Sequence, residues 1–338
     1  MKILRFIAAI LVALTCVEMR AQGWQPDVLG QGFEMRYVDQ GADYSGPVRS
    51  TIVRLRSSCG KGVGILYVHG FNDYFFQAEM AREFAQHCYD FYAVDLRKYG
   101  RSIMEGQQKF QVRDLREYFA DIDSAVVQMQ ADGISRIVLM GHSTGGLISS
   151  LYMSGKPSPA ICAMILNSPF LDWNQSKLQE RILIPAVRSL SGPIKSVKIP
   201  QGSDDGYARS LLRQFGGEWE YNTDWKLIHS PAVEASWIAA IDAAQDVVQN
   251  YPHIEVPVLV MHSDRSYGHA KGAEYGNSDA VLDVEDISRY GRRLGFNVTE
   301  ITVRGGLHDL ALSAPVVRQA MYGYVFDWLS QVAPANLP

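Results

Sequence analysis

The chain has 338 residues, with 36 acidic against 32 basic side chains and a net charge of −4. No basic cluster stands out, so nucleic-acid binding has no electrostatic footprint. Apolar residues make up 47% and charged residues 20%, as in a globular protein with a real core, and the length fits one large domain with an insertion or two ordinary ones.

Met1-Lys2-Ile3-Leu4-Arg5 is a short basic start, Phe6 to Val17 is almost wholly apolar, and small and polar residues follow through Ala21-Gln22-Gly23. That order is the outline of a secretory signal peptide over residues 1–22, cut near Ala21 and too short for a membrane span. It predicts a secreted or periplasmic protein; the alternative is an uncleaved anchor. Ala13-Leu14-Thr15-Cys16 only weakly resembles a bacterial lipoprotein site. Cys16 would leave with the signal, and Cys59, Cys88 and Cys162 would remain. Cys59 and Cys88 each precede a predicted strand. If those strands are parallel neighbours the two sulfurs share one end of the sheet, which predicts a disulfide in an oxidising compartment; the alternative is three separate reduced thiols.

Residues 33–56 alternate as two strands around a glycine-rich turn and read as an antiparallel hairpin. The rhythm then becomes strand–helix–strand: a buried strand at Gly62 to Val68, a helix at Gln77 to His87, a strand at Phe91 to Val94. A long helix follows over Asp114 to Asp132, with apolar spacing at Leu115, Phe119, Ile122, Val126 and Met129. Strands are predicted at Ile137 to Met140 and Ile161 to Leu166. After Phe170 the rhythm breaks. Residues 171–252 carry helical patterns and glycine-rich loops with Trp173, Trp219, Trp225 and Trp237, and read as an inserted helical cap. The sheet resumes at Val256 to Met261, followed by a helix at Asp283 to Leu294, a strand at Val298 to Val303 and a closing helix at Val316 to Gln331. Such alternation implies an α/β fold with a mostly parallel sheet covered on both faces, its core formed by residues 23–170 and 253–338.

Gly141-His142-Ser143-Thr144-Gly145 fits the G-x-S-x-G pattern of a nucleophile elbow, with a strand before it and a helix after it. The turn is too tight for side chains at the flanking glycines, and it leaves the serine hydroxyl pointing away from the sheet. A serine needs a base and a group that orients the base. Of eight histidines, His308 fits best, in the loop Arg304-Gly305-Gly306-Leu307-His308-Asp309 directly after the last strand. His69 and His142 flank backbone turns and read as packed and hydrogen-bonded. His262 and His269 lie on the connection where the acid belongs.

Asp264 and Asp279 both stand on that connection. After the acid the chain must fit a helix, a turn, a strand and a loop, on the order of thirty residues. Asp279 stands 29 positions before His308 and Asp264 stands 44 before, which favours Asp279, with Asp264 kept as the alternative and Asp283 third. Each also has a purely structural reading: a helix N-cap for Asp279, a turn former for Asp264, a first-turn charge for Asp283. The oxyanion donors are expected to be the backbone amides of Phe71 and Thr144. Phe71 could equally pack its ring on the cap.

The set His69-Gly70-Phe71, Asp95 to Ser102, Gly141 to Gly146, the run from Asp279, and Gly306-Leu307-His308-Asp309 resembles the α/β-hydrolases, in the monoacylglycerol-lipase-like and serine-aminopeptidase-like branch. The resemblance covers roughly residues 60 to 330. It implies an eight-stranded, mostly parallel sheet, a helical cap between the sixth and seventh strands, and no cofactor. Asp95, Arg97 and Ser102 match its D-x-R-x-x-G-x-S turn, which looks structural. The connection holding the acid is longer than the branch usually has.

The expected activity is hydrolysis of carboxylic esters, with a lipid-derived acyl ester such as a monoacylglycerol or lysophospholipid as the small-molecule partner. An aminopeptidase is the alternative and would need cap carboxylates, for which Glu218, Glu220, Asp224 and Glu234 are available. A non-catalytic binding protein on the same scaffold is the third reading.

Overall fold

The computed structural model describes residues 23–335 except 156, 175–181, 203 and 269–273. The predicted signal peptide and His269 lie outside the described residues. Among the described residues no helix is long and apolar enough to cross a membrane.

The opening hairpin is β2 (Phe33–Asp43) and β3 (Gly46–Leu55), paired antiparallel. The continuous apolar runs then form β4 (Val63–Val68) and β5 (Asp90–Asp95), buried along their whole length, with α1 (Ala78–Gln86) between them. The long predicted helix enters through a 3₁₀ turn, Leu115–Tyr118, whose Asp114 forms a capping box with Glu117, and continues as α2 (Phe119–Ala131). β6 (Arg136–His142), α3 (Thr144–Met153) and β7 (Ile161–Asn167) follow. The sheet resumes with β10 (Val258–Ser263), α7 (Val284–Gly291), β11 (Val298–Val303) and α8 (Pro315–Val332).

The strand order is β1-β2-β3-β5-β4-β6-β7-β10-β11, where β1 is Gln25–Pro26. Among the described residues this sheet thus has nine strands where eight were expected. The extra one is a two-residue edge antiparallel to β2, too short for any periodicity to announce it. From β5 to β11 every neighbouring pair is parallel. All these strands therefore end on the same side of the sheet, and the connections leaving them gather there.

Between β7 and β10 the chain leaves the sheet. It forms α4 (Ile184–Ile194), β8 (Lys198–Ile199), α5 (Gly206–Leu211), β9 (Val233–Glu234) and α6 (Ala235–Asn250). β8 and β9 pair with each other, a two-residue ribbon that a helical reading of this stretch omits. Trp237, Ile238, Ile241, Ala244 and Val248 bury one side of α6 in the cluster that also holds Leu147, Ile148 and Leu151 of α3.

Cys59 and Cys88 are bonded to each other, at the starts of the neighbouring parallel strands β4 and β5. Asp95 accepts the amides of Phe75 and Arg101, and Ser102 donates to the Asp95 carbonyl, so that turn is locked from within. The Arg101 guanidinium is buried between Asp27, at 2.6 Å, and Asp95, at 2.9 Å, which ties the start of the described chain to the core.

Candidate active site

β6 ends at His142 and α3 begins at Thr144, leaving Ser143 alone in the turn at φ 53° and ψ −120°. A non-glycine residue is strained there, and surrounding packing must hold it. The flanking glycines make that packing possible. A Cβ on Gly145 would lie 2.3 Å from the carbonyl oxygens of both Val68 and His69, and one on Gly141 2.6 Å from the Gly145 carbonyl oxygen. The loop after β4 lies against the serine, since a Cβ on Gly70 would come within 3.0 Å of Ser143 Cβ. Phe71 follows in that loop, with its ring on Phe110 and Trp237.

Ser143 Oγ is 2.9 Å from His308 Nε2, and His308 Nδ1 is 3.0 Å from Asp279 Oδ2. Burial alone would raise the Asp279 carboxyl. His308 beside it and the amides of Val281 and Leu282, both donating to Oδ1, outweigh that and hold it below the ordinary aspartate value. Because ionised Asp279 only accepts, it selects the tautomer with the proton on Nδ1, which leaves Nε2 free to accept from the serine hydroxyl.

Asp279 reaches this place because its loop closes on itself. Ser266 and Asp279 form a β-bridge, Tyr267 N donates to Asp279 O, and Asp279 N donates to Arg265 O. Arg265, Ser266 and Tyr267 thus meet Asp279 at one neck. Asp264 does not join the line. Its carboxylate accepts from the Gly305 amide at 2.8 Å and pairs with Arg265 at 2.7 Å, bracing the histidine loop from outside. Asp283 caps α7 by accepting the Glu285 amide.

His69, His142 and His262 are engaged elsewhere. His69 Nε2 accepts the Leu96 amide. His142 Nδ1 donates to the Asn167 carbonyl, with its ring 4.9 Å from that of His308. His262 pairs with Glu300.

Ser143, Thr144 and His308 open on a cavity of about 490 Å³. Phe71, Trp237, Trp173 and Phe170, whose rings contact one another in turn, form an aromatic wall, and Asp73, Asp204, Asp205, Tyr207, Lys226 and Tyr275 add polar lining. Of the four carboxylates named for an amino-terminus grip, none lines this cavity. Glu218 pairs with Arg318, Glu220 with Arg213, Glu234 accepts from Gln111, and Asp224 offers its carbonyl to Lys109. Sequence reading missed Asp204, Asp205 and Tyr207, which sit in a stretch without a motif.

Asp73, His142 and Asp309 bring ligand-type atoms within 4.8 Å of one another beneath the site. Asp73 is met by Lys226 at 3.0 Å, and Asp309 by the side-chain amides of Gln77 and Asn167, each at 2.8 Å. The cluster therefore supplies its own donors, and its carboxylates are not converging on an open metal position.

The family described as serine aminopeptidase, S33 matches residues 63–267. No curated protein matches significantly. Among solved structures, a soluble variant of monoglyceride lipase from Saccharomyces cerevisiae in complex with a substrate analog superposes with a TM-score of 0.62 at 15% identity, over 94% of this chain and 100% of that one. A monoacylglycerol lipase from Paleococcus ferrophilus gives 0.58 at 15% identity, over 89% and 100%. A thermostable carboxyl esterase from Bacillus coagulans gives 0.59 at 14% identity, over 88% and 98%. At such identities the superpositions speak for the fold. With the family match over more than half its length, the chain belongs to the serine aminopeptidase S33 family, and its fold is that of the α/β-hydrolases.

Proposed function

We propose that the protein is a serine hydrolase that cleaves carboxylic esters through an acyl-enzyme, with lipid-derived acyl esters such as monoacylglycerols or lysophospholipids as substrates. The observation that carries this reading is the unbroken line from Ser143 Oγ through His308 to Asp279, opening on a cavity with an aromatic wall. Ser143 Oγ attacks the ester carbonyl as its proton passes to His308 Nε2. The carbonyl oxygen becomes an oxyanion, held by the amides of Phe71 and Thr144. His308 then returns the proton to the leaving alcohol. A water repeats the sequence on the acyl-enzyme and releases the carboxylic acid. Asp279 keeps its negative charge and steadies the imidazolium.

The aromatic wall suits an acyl chain, and the substrate analog in the yeast lipase is in keeping with it. Residues 171–252 act as the cap over this cavity, on the core of 23–170 and 253–338. Secretion or periplasmic export through residues 1–22 belongs to the same reading and is supported by the Cys59–Cys88 bond.

A panel of p-nitrophenyl acyl esters and aminoacyl-p-nitroanilides tests the proposal, with Ser143→Ala beside the parent. Ester turnover that Ser143→Ala abolishes is the expected result. Preference for the anilides would move the assignment to an aminopeptidase, for which Asp204 and Asp205 stand in the cavity as carboxylates for an amino group. No turnover and no labelling by a fluorophosphonate would leave a binding protein.

A further inference from the structure

Ser143 and His308 come from strands that are not neighbours. Ser143 follows β6, His308 follows β11, and β7 and β10 lie between them. A separation of 2.9 Å across that span needs a tie outside the strand ladders. Asn167, the last residue of β7 and 1% exposed, stands in the gap. Its carbonyl oxygen accepts the Ser143 amide at 3.1 Å and His142 Nδ1–H at 3.0 Å. Its side-chain Nδ2 donates to Asp309 Oδ1 at 2.8 Å, and its Oδ1 accepts the Leu310 amide at 3.2 Å. One residue thus grips the serine turn with its backbone and the histidine loop with its side chain. Both ends of the amide are occupied by partners of fixed polarity, which leaves it one orientation.

Asp309, directly after His308, is buried and also accepts Gln77 Nε2 at 2.8 Å and the Ala311 amide at 3.1 Å. Burial would raise this carboxyl, but nearby His142 and the Gln77 and Asn167 donors hold it below its ordinary value, so it meets Asn167 as an anion. The Asp309 amide donates to the Tyr207 hydroxyl at 3.0 Å, so the loop is held from above as well. A charge-assisted bond inside a closed network is the kind of contact that fixes geometry.

We infer that Asn167, clamped to Asp309, is the positioning residue that holds His308 in line with Ser143. The inference rests on reading Ser143, His308 and Asp279 as the triad. Neither Asn167 nor Asp309 lines the cavity, so they would act through the loop that carries His308.

The test compares the parent with Asn167→Asp, Asp309→Asn and the exchange carrying both. The readouts are kcat and KM on a p-nitrophenyl ester, the rate of Ser143 labelling by a fluorophosphonate, and the thermal midpoint. Asn167→Asp sets two carboxylates against each other. It should lower kcat and labelling rate by about 100-fold while KM stays within about twofold, because displacement of a reacting group by about 1 Å costs that much. The exchange restores an amide facing a carboxylate with the polarity reversed, and should recover most of kcat. An Asn167→Asp kcat within about threefold of the parent, or an exchange no better than its components, overturns the inference. Should Asn167→Asp fail to fold, Asp309→Asn decides: a loss of about tenfold in kcat at constant KM supports it, and an unchanged kcat overturns it. A parent not labelled at Ser143 removes the triad reading and this inference with it. A labelled parent with an indifferent Asn167→Asp removes this inference alone.

Discussion

Asp279 divides its two oxygens between different tasks: Oδ2 faces His308, and Oδ1 accepts the amides of Val281 and Leu282. Replacing it by Asn keeps the shape but puts an amide opposite the imidazole, favouring the wrong tautomer. Asp279→Asn should lower kcat on p-nitrophenyl esters by on the order of 10⁴. Asp264→Asn should lower it by about tenfold or less, since it loses only an outside brace of the loop. The same carboxylate also links stability to pH. Its folded value lies below its unfolded value, so the unfolded chain takes up a proton first as pH falls. The contribution is whole above the unfolded value of about 3.9 and is lost as pH drops through the folded one. Asp279→Asn should therefore show a shallower loss of urea stability than the parent between about pH 5 and pH 3. That Asp279 rather than Asp264 stands beside His308 was only partly legible in the sequence. Spacing favoured Asp279, but what brings it to His308 is the Ser266–Asp279 bridge, a contact between residues that no local pattern pairs. Asn167 was illegible for a related reason: nothing near it announces that a polar residue ending an apolar strand will face a loop 142 positions away.

The elements that position the site leave little steric room for other residues. The turn between β6 and α3 passes so close to the loop after β4 that Gly145→Ala would drive a methyl into two backbone carbonyls, which cannot rotate away. That substitution should cost about 3 kcal/mol or more in chemical denaturation, or prevent folding. The parallel strands were legible because burial on both faces writes them as unbroken apolar runs. The two-residue strands β1, β8 and β9 were not, since two residues carry no period. The long helix over 114–132 was legible as one helix, while its 3₁₀ entry depends on the Asp114–Glu117 box, which a periodic pattern passes over.

At the scale of the molecule, the chain before the first long strand is fastened by a buried charge. Arg101 holds Asp27 and Asp95 together, with all three side chains nearly inaccessible. Arg101→Ala would leave two buried carboxylates without their cation and should destabilise the fold by about 3 to 5 kcal/mol, read from the shift in urea midpoint. Arg101→Lys should recover only part of this, since one ammonium cannot span both acids as a guanidinium does.

The Cys59–Cys88 bond lies where the parallel strands begin, and the serine, histidine and aspartate lie where they end. On the proposed reading, durability and turnover thus fall at opposite ends of the same parallel strands. Closing a loop of 29 positions is worth about 3 to 4 kcal/mol. Opening it with a reductant should lower the melting temperature and leave the room-temperature rate untouched. An assay run in dithiothreitol would therefore report a fully active preparation, and only a heated sample would reveal that it had been weakened.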